Sequence, residues 1–258
     1  MLFAIDIGNS YITLGAYDGK KLVFVSELVT LPKLSRDQYA VEILNVMRLY
    51  DIKAEVVTGA IISSVVPELT SVLQSAIKLL CDIDPLIVGP GVKSGLPITI
   101  DNPAQLGPDL VACGVAAVAR GKMPCIIYDL GTTTTVSVID GEGKFSGVVI
   151  SAGVGTTLEM FTSHTALLPH VSIEAPKTVI GKNSIHSMQS GLVYGTAAML
   201  DGLSGRISKE LGEEPVLLAT GSMAHQIVPY CQNKVELCEH LLLEGLRLIY
   251  ERNSRLKK

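Results

Sequence analysis

The sequence of 258 residues is 48% hydrophobic and 18% charged, and its formal net charge at pH 7 is −4. Such a composition is typical of globular rather than disordered chains, and this length fits one large or two modest domains. The net negative charge argues against a nucleic-acid partner, and no apolar run reaches the roughly 18 residues that a membrane span requires. Because residues 1–20 also lack the basic start and long apolar core of a signal peptide, we expect a cytoplasmic protein that binds no membrane.

The cysteines and histidines form no metal-binding pattern. The chain has five of each, with no C-x-x-C pair and no ligand spacing among the histidines. We therefore expect reduced, buried thiols rather than disulfides, and no zinc site. The cysteines concerned are Cys81, Cys113, Cys125, Cys231 and Cys238.

The first elements are strands joined by polar turns. Residues 3–8 (FAIDIG) predict a buried strand that ends in a turn at residues 9–10. A second strand at residues 12–14 runs to another turn at residues 18–19, and a third strand follows at residues 22–30. The chain is therefore predicted to open with a β-hairpin and a further strand.

Helices and buried strands alternate after this hairpin. Ser35 with Gln38 three residues later is a capping-box signature, which predicts a helix to about residue 50. Residues 55–64 predict a buried strand, and Pro67 stands in the first turn of an amphipathic helix. This order is typical of an α/β protein.

The next helix begins at a candidate functional acid. A short strand at residues 85–88 and a Gly- and Pro-rich loop at residues 89–103 lead to Pro108, which suits the first helical position. Asp109 follows in the first turn, where the helix dipole stabilises a negative charge. From the local sequence alone, Asp109 is either such a helix start or a functional carboxylate. The helix is rich in small residues, so we expect it to pack closely and to bridge the two halves.

Residues 126–143 repeat the plan of the N-terminus. They predict a strand, a turn with Asp129 and Gly131, a second strand, and a turn at residues 140–141, so that Asp129 corresponds to Asp6. A carboxylate at a strand end can hold Mg²⁺, and a glycine lets backbone N–H groups approach phosphate. The paired turns therefore predict a clamp for a nucleotide tail. The alternative is that each is an ordinary turn and that the threonines merely favour strand.

The remaining elements continue the alternation. We predict a strand at residues 144–151, a helix entered through glycines at residues 152–160, a polar turn at residues 178–184 and a long helix from residue 187 to 211. Residues 216–220 predict a strand that ends at a glycine turn. The last helix carries a set of apolar residues, namely Leu237, Leu241, Leu242, Leu246 and Ile249. The long helix contains Gly191, Gly195, Gly202 and Gly205. Because glycine lowers helix propensity by about 1 kcal/mol relative to alanine, we expect tight packing there.

Two sheets that each begin with a hairpin describe an α/β protein with a cleft between duplicated lobes, at residues 1–118 and 119–258. The fingerprints G-x-G-x-x-G and G-x-x-x-x-G-K-[ST] are both missing. Neither a Rossmann dehydrogenase nor a P-loop enzyme is therefore supported.

The motifs together resemble the type III pantothenate kinases, also called Bvg accessory factor-like proteins. This family belongs to the acetate kinase, Hsp70 and actin superfamily, whose lobes have the ribonuclease H-like (actin-like ATPase) fold. The resemblance runs nearly end to end. It rests on AIDIGNS at 4–10, SSVVP at 63–67, DNP at 101–103, G-x-D at 107–109, DLGTTTT at 129–135, ALLP at 166–169, IGKNS at 180–184, SGLVYG at 190–195 and ATGSMA at 219–224.

The resemblance implies a reaction and its cofactors. The reaction is the ATP-dependent phosphorylation of pantothenate to 4'-phosphopantothenate, the first step of coenzyme A biosynthesis. The enzyme would be a homodimer that uses Mg²⁺ and a monovalent cation, K⁺ or NH₄⁺.

The resemblance also implies roles for individual residues. Asp109 would accept the proton of the pantothenate hydroxyl, and Asp129 and Asp6 would hold metal ions, with the monovalent cation at Asp129. The ATP phosphates would lie against Asp6, Ile7, Gly8, Asn9, Ser10, Tyr11, Ile12, Thr13 and Thr132. The substrate pocket would contain Gly107, Pro108, Asp109 and Leu110, with Ser184 reaching the substrate across the dimer interface.

Three positions depart from the family pattern. Leu110 stands where a substrate-facing arginine is usual, Ser137 where an aspartate is usual, and Ala152 where a proline is usual. These departures leave an alternative open, namely a catalytically weak or silent nucleotide-binding homologue with a regulatory role.

Overall fold

Two five-stranded sheets organise the protein, which is described here from a computed structural model covering residues 1–164 and 168–254. The ALLP motif at residues 166–169 therefore lies partly outside the described residues. The chain divides into two compact units. The first comprises Met1–Gly95, Asn102–Ala116 and the segment that starts at Leu241, and the second comprises Leu96–Asp101 and Ala117–His240.

The sheet of the first unit has the strand order β3-β2-β1-β4-β5. Its central strand β1 pairs antiparallel with β2 and parallel with β4. The strands are β1 (Leu2–Ile7), β2 (Tyr11–Asp18), β3 (Lys21–Val29), β4 (Gly59–Ser64) and β5 (Leu86–Ile87). Apart from residues 55–58, the predicted strands of this half are confirmed. Residues Ala54–Val56 form a short 3-10 helix instead, so β4 begins later than predicted.

Helices cover the sheet of the first unit. They are α1 (Arg36–Leu49), α2 (Pro67–Cys81), α3 (Pro108–Ala119), whose last residues belong to the second unit, and α7 (Leu241–Ser254). The capping box at Ser35 and Gln38 is present, as predicted. The α2 helix buries Leu69, Leu73 and Ile77 against the core, because these residues recur on one helix face.

The last helix differs from the sequence prediction in two respects. Leu237 belongs to a short strand, so the helix begins only at Leu241. The α7 helix also packs on β1 and β4 and belongs to the first unit, whereas the predicted division placed it with residues 119–258. The α7 helix approaches α3 closely at Gly245, where a Cβ would collide with the carbonyl oxygen of Ala112. The close packing predicted for α3 is therefore present within this unit.

The sheet of the second unit repeats the plan of the first, with the order β10-β9-β6-β7-β8. Its central strand β6 pairs antiparallel with β7 and parallel with β9, as β1 does with β2 and β4. The strands are β6 (Cys125–Leu130), β7 (Thr133–Ile139), β8 (Phe145–Ala152), β9 (Val216–Thr220) and β10 (Val235–Leu237). The helices of this unit are α4 (Val154–His164), α5 (Ser184–Leu211) and α6 (Ala224–Ile227). The predicted internal duplication is therefore confirmed at the level of strand order.

The long helix α5 also differs from its prediction. It begins at Ser184 rather than at residue 187, because Asn183 caps it by accepting a hydrogen bond from the His186 N–H at 2.9 Å. The expectation of tight packing around its glycines is wrong within this chain. Apart from the backbone of α5 itself, a Cβ built on Gly191, Gly195, Gly202 or Gly205 would meet no atom of the described residues within 4 Å.

All five cysteines are free thiols. Cys113, Cys125 and Cys238 are buried as predicted, whereas Cys81 and Cys231 are only partly buried. Within residues 1–164 and 168–254, no helix is both long enough and apolar enough to cross a membrane.

Candidate functional site

In the first unit, Asp6 lies between two hydroxyl side chains on one face of the sheet. It is opposite Thr13 on β2 and opposite Ser63 on β4. Residues that are directly opposite in register share a face, so Asp6, Thr13 and Ser63 form a row across three strands. The sequence motif SSVVP contains Ser63, but only the strand register places this serine beside Asp6.

Ser63 is fully buried, and within the described residues its hydroxyl has no hydrogen-bond partner. We expect Ser63→Ala to leave the free energy of unfolding unchanged or to raise it slightly, because burying an unpaired hydroxyl is unfavourable. The neighbouring Ser64 is the matched control. Its Oγ accepts hydrogen bonds from the Val66 N–H at 3.2 Å and from the Thr70 hydroxyl at 2.9 Å. Ser64→Ala should therefore cost about 1–2 kcal/mol.

Urea unfolding of both variants checks this expectation. A destabilised Ser63→Ala with an unaffected Ser64→Ala would contradict it. A Ser63→Ala variant that keeps its stability but loses nucleotide affinity would mark Ser63 as a binding residue.

The turn after β1 is held by its own backbone. The Gly8 N–H donates to the Tyr11 carbonyl at 3.0 Å, and the Thr30 hydroxyl donates to the Gly8 carbonyl at 2.7 Å. A Cβ on Gly8 would lie only 3.0 Å from the Tyr11 carbonyl oxygen and 4.0 Å from Asp6 Oδ2. Asn9 at the tip of the turn is exposed. The predicted phosphate-binding run from Asp6 to Thr13 is therefore a β1–β2 hairpin with a narrow, glycine-dependent turn.

The second unit repeats the row of polar residues around Asp129. This carboxylate lies opposite Thr135 on β7 and opposite Thr220 on β9. Thr135 is 8% exposed and Thr220 5%, so both hydroxyls belong to the interior of the unit. The correspondence between Asp6 and Asp129 that the sequence predicts thus extends to the hydroxyl residues on both neighbouring strands.

Two glycines that are distant in sequence pack against the turn after β6. A Cβ on Gly153 would collide with the carbonyl oxygens of Gly131 and Thr132. Gly221 has φ +92°, and a Cβ there would lie 2.5 Å from Asp129 Oδ1 and from the Leu130 nitrogen. These positions accept only glycine, since a side chain would displace the turn. Sequence reasoning treated both glycines as parts of their own turns and missed their contact with the Asp129 turn.

Asp109 occupies the first turn of α3, as predicted. Its Oδ1 is buried and has no hydrogen-bond partner within the described residues. Burial raises the pKa of this carboxyl above its ordinary value of 3.8, and the backbone N–H groups of Leu110 and Asp109 oppose that rise only in part. A Cβ on Gly107 would collide with Asp109 Oδ1, so glycine at 107 makes room for the carboxylate. The spacing of the G-x-D motif is therefore explained by packing, because the aspartate side chain occupies the space that a side chain at position 107 would need.

The other predicted substrate residues occupy different environments. Leu110, next to Asp109, is buried with 7% exposed, and Pro108 is the first residue of α3. Ser184 is the first residue of α5 in the second unit and is exposed. The structure therefore groups Gly107 to Leu110 at the start of α3 and places Ser184 at the start of another helix.

The oxygen-rich surroundings of Asp6 and Asp129 suit hard cations. Within the described residues, no group of three or more His, Cys, Asp or Glu side chains could hold a metal ion. Mg²⁺ in nucleotide sites is usually held by one or two carboxylates, waters and the phosphates, so such a cluster is not required. One carboxylate flanked by hydroxyls in each unit fits this donor chemistry.

Comparisons with known proteins give the family. The family model described as type III pantothenate kinase matches residues 2–206. A type III pantothenate kinase from Syntrophus aciditrophicus is 36% identical over 254 residues, which cover 98% of this chain and 100% of that protein. The type III pantothenate kinase from Exiguobacterium sp. is 39% identical over 255 residues, covering 99% and 100% of the two chains.

Solved structures agree with the predicted fold. A conserved Baf family protein from Campylobacter jejuni has a TM-score of 0.63 at 16% identity, covering 98% of this chain and 99% of that chain. The activator of the 2-hydroxyisocaproyl-CoA dehydratase from Clostridium difficile, solved with bound ADPNP, has a TM-score of 0.55 at 10% identity, covering 99% and 97%. At these identities the likeness concerns the fold alone. Together with the repeated strand order, it confirms the prediction of duplicated ribonuclease H-like lobes.

The family model covers most of the sequence, and the named relatives match it over nearly its whole length at 36% and 39% identity. This chain belongs to the type III pantothenate kinase family and is therefore a kinase.

Proposed function

We propose that this protein transfers the γ-phosphoryl group of ATP to the hydroxyl of pantothenate, which yields 4'-phosphopantothenate for coenzyme A biosynthesis in the cytoplasm. Membership of the family supports the reaction class. The observation that carries the proposal within this chain is Asp109, a half-buried residue whose carboxyl has a raised pKa and whose buried Oδ1 has no hydrogen-bond partner within the described residues. Such a group is suited to accept a proton from an alcohol.

Asp109 is the proposed general base. Phosphoryl transfer requires the attacking oxygen to be held in line and to lose its proton as the bond forms. The unpartnered Oδ1 has a free acceptor position for that hydroxyl, and the backbone N–H groups of Asp109 and Leu110 stabilise the carboxylate before it takes the proton. The close approach to Gly107 fixes the orientation of the carboxylate.

The two hairpin turns are the proposed nucleotide-binding elements. Backbone N–H and hydroxyl groups in the run from Asp6 to Thr13, together with Thr132, would bind the ATP phosphates. We assign Mg²⁺ to Asp6 and a monovalent cation, K⁺ or NH₄⁺, to Asp129. When bound, these cations neutralise phosphate charge during the transfer. Gly153 and Gly221 support the second turn, because their missing side chains let the backbone of residues 129–132 pack closely.

An ADP-release assay tests the reaction. Wild-type protein with ATP, Mg²⁺, K⁺ and pantothenate should form ADP only when the acceptor is present. ADP formation that does not depend on pantothenate would overturn the proposal and point to phosphate transfer to water. No observation favours the alternative of a weak or silent homologue. Two of the three departures that suggested it, Leu110 and Ser137, are buried at 7% and 1% exposure.

We also propose that the protein is a homodimer that pairs through α5. Gly191, Gly195, Gly202 and Gly205 are exposed, and their spacing places them on one face of the helix. No other element in the described part of the chain packs within 4 Å of a Cβ at these glycines, although each lowers helix propensity by about 1 kcal/mol. A second copy packed closely against this face would compensate for that loss.

A leucine on the glycine face should separate the proposed dimer. We expect Gly195→Leu to sediment as a monomer at concentrations where wild-type protein sediments as a dimer. Glu210→Leu is the control, because Glu210 is an exposed residue of the same helix outside the glycine face. Wild-type protein that sediments as an active monomer would overturn the proposal.

A further inference from the structure

Ser63 in the first unit is a buried serine whose hydroxyl is not used by the fold. It lies in β4 directly opposite Asp6 of β1, it is fully buried, and within the described residues its hydroxyl has no hydrogen-bond partner. Most buried hydroxyl groups are paired, because leaving one unpaired is unfavourable. Ser63 is therefore a candidate for a role other than stabilising the strand.

The internal duplication offers a comparison for this position. The equivalent residue of the second unit is Thr220, which lies in β9 opposite Asp129 as Ser63 lies in β4 opposite Asp6. Thr220 is also buried, but its hydroxyl donates to the Glu239 carbonyl at 3.4 Å. Both units thus place a hydroxyl beside the carboxylate, and among the described residues the protein pairs the hydroxyl of Thr220 but not that of Ser63. The hydroxyl of Ser63 is therefore available to a ligand of Asp6.

The backbone of Ser63 is held in place without its hydroxyl. Alternate residues of a strand face the same side, so Ser63 shares a side of β4 with Gly59, where a Cβ would collide with the hydroxyl of Tyr250 in α7. The packing of α7 on β4 therefore fixes this side of the strand. Ser64 faces the opposite side, and its Oγ is bonded within its own unit. Removing the hydroxyl of Ser63 should consequently leave β4 where it is.

We infer that Ser63 is a positioning residue for the Mg²⁺ that is assigned to Asp6, an inference that rests on the proposed function. A serine hydroxyl can donate one hydrogen bond and accept others. Ser63 would donate to the Asp6 carboxylate and accept a hydrogen bond from a water of the cation, since Mg²⁺ in nucleotide sites usually keeps several waters. Such outer-shell groups orient the ligands of a metal ion and change its affinity typically by about 10- to 100-fold.

Nucleotide binding with and without Mg²⁺ tests this role independently of turnover. Calorimetry with AMPPNP, an ATP analogue that is not hydrolysed, measures affinity in Mg²⁺ and again in EDTA. Ser63→Ala should reduce the gain in affinity that Mg²⁺ provides by about 10-fold or more, and the affinity in EDTA should stay at the wild-type level. The rise in melting temperature on adding Mg²⁺ and AMPPNP should shrink in the same variant. In an Asp6→Asn background, Ser63→Ala should have little further effect, because both residues act on one cation.

Ser64→Ala is the matched control, because its hydroxyl is bonded on the other side of the same strand. It should lower stability and leave the Mg²⁺-dependent gain in affinity unchanged. A Ser63→Ala variant that binds AMPPNP as wild type does in Mg²⁺, or that loses equal affinity in Mg²⁺ and in EDTA, would overturn the role of Ser63. A full effect in the Asp6→Asn background would do the same. Wild-type protein that binds Mg²⁺ and AMPPNP but phosphorylates no pantothenate would instead overturn the proposed function.

Discussion

Asp109→Asn is expected to lower kcat for pantothenate phosphorylation by about 10²- to 10⁴-fold, the range that general bases contribute. Asparagine keeps the shape of the side chain but cannot accept the proton. The KM for ATP should stay close to the wild-type value, because the proposed phosphate-binding run lies in the β1–β2 hairpin. Steady-state kinetics at saturating pantothenate measures both quantities.

The same substitution should not weaken the fold. Burial raises the pKa of Asp109 in the folded protein, so between pH 3.8 and that raised value the folded state binds more protons than the unfolded state. The contribution of Asp109 to the free energy of unfolding therefore falls as the pH rises through that window, and it stays low at higher pH. Asp109→Asn removes the buried charge, so its melting temperature at pH 8 should equal or exceed that of wild type.

The pH dependence separates the two explanations for Asp109. The stability difference between variant and wild type should shrink as the pH falls towards and below 3.8, because the carboxyl then becomes protonated in the unfolded state as well as in the folded state. In wild type, activity should decline on the acid side at a pH above that of an ordinary aspartate. If Asp109→Asn instead lost both stability and activity at pH 8, the main role of Asp109 would be to stabilise the first turn of α3.

Gly245→Ala is expected to destabilise the first unit by about 2 kcal/mol or more. Alanine improves helix propensity by about 1 kcal/mol, whereas overpacking costs typically 1–3 kcal/mol and more when the opposing atom belongs to the backbone. Here the opposing atom is the carbonyl oxygen of Ala112, which cannot rotate away. The collision therefore outweighs the gain in propensity, and α7 must shift relative to α3.

Gly155→Ala is the control for this prediction. Gly155 lies in the first turn of α4, and a Cβ there would meet no described atom outside the backbone of α4 within 4 Å. This variant should be as stable as wild type or slightly more stable, by at most about 1 kcal/mol. Urea unfolding and calorimetry measure both variants. If Gly245→Ala were as stable as Gly155→Ala, the result would contradict the close packing of α7 against α3 at Gly245.

Local signals in the sequence were sufficient for most elements. The capping box at Ser35, the proline at the start of α2 and the alternating apolar pattern around Asp6 and Asp129 each act over a few residues. Such signals define helix starts and hairpins, because capping and turn formation depend on neighbouring residues. The same local reasoning found the duplicated hairpins and the helix that begins beside Asp109. It failed at residues 55–58 and at Leu237, where short apolar stretches do not distinguish strand, helix and connecting segment.

The sequence by itself determined the order of elements, the internal duplication and, through its motifs, the family. Only the tertiary structure decided which distant residues share a face or a contact. Strand register set Ser63 beside Asp6, and packing brought Gly153 and Gly221 against the Asp129 turn. The packing of α7 on β1 and β4 made the last helix part of the first unit. These contacts join residues far apart in sequence, and they depend on how whole elements pack rather than on the local preferences of any segment.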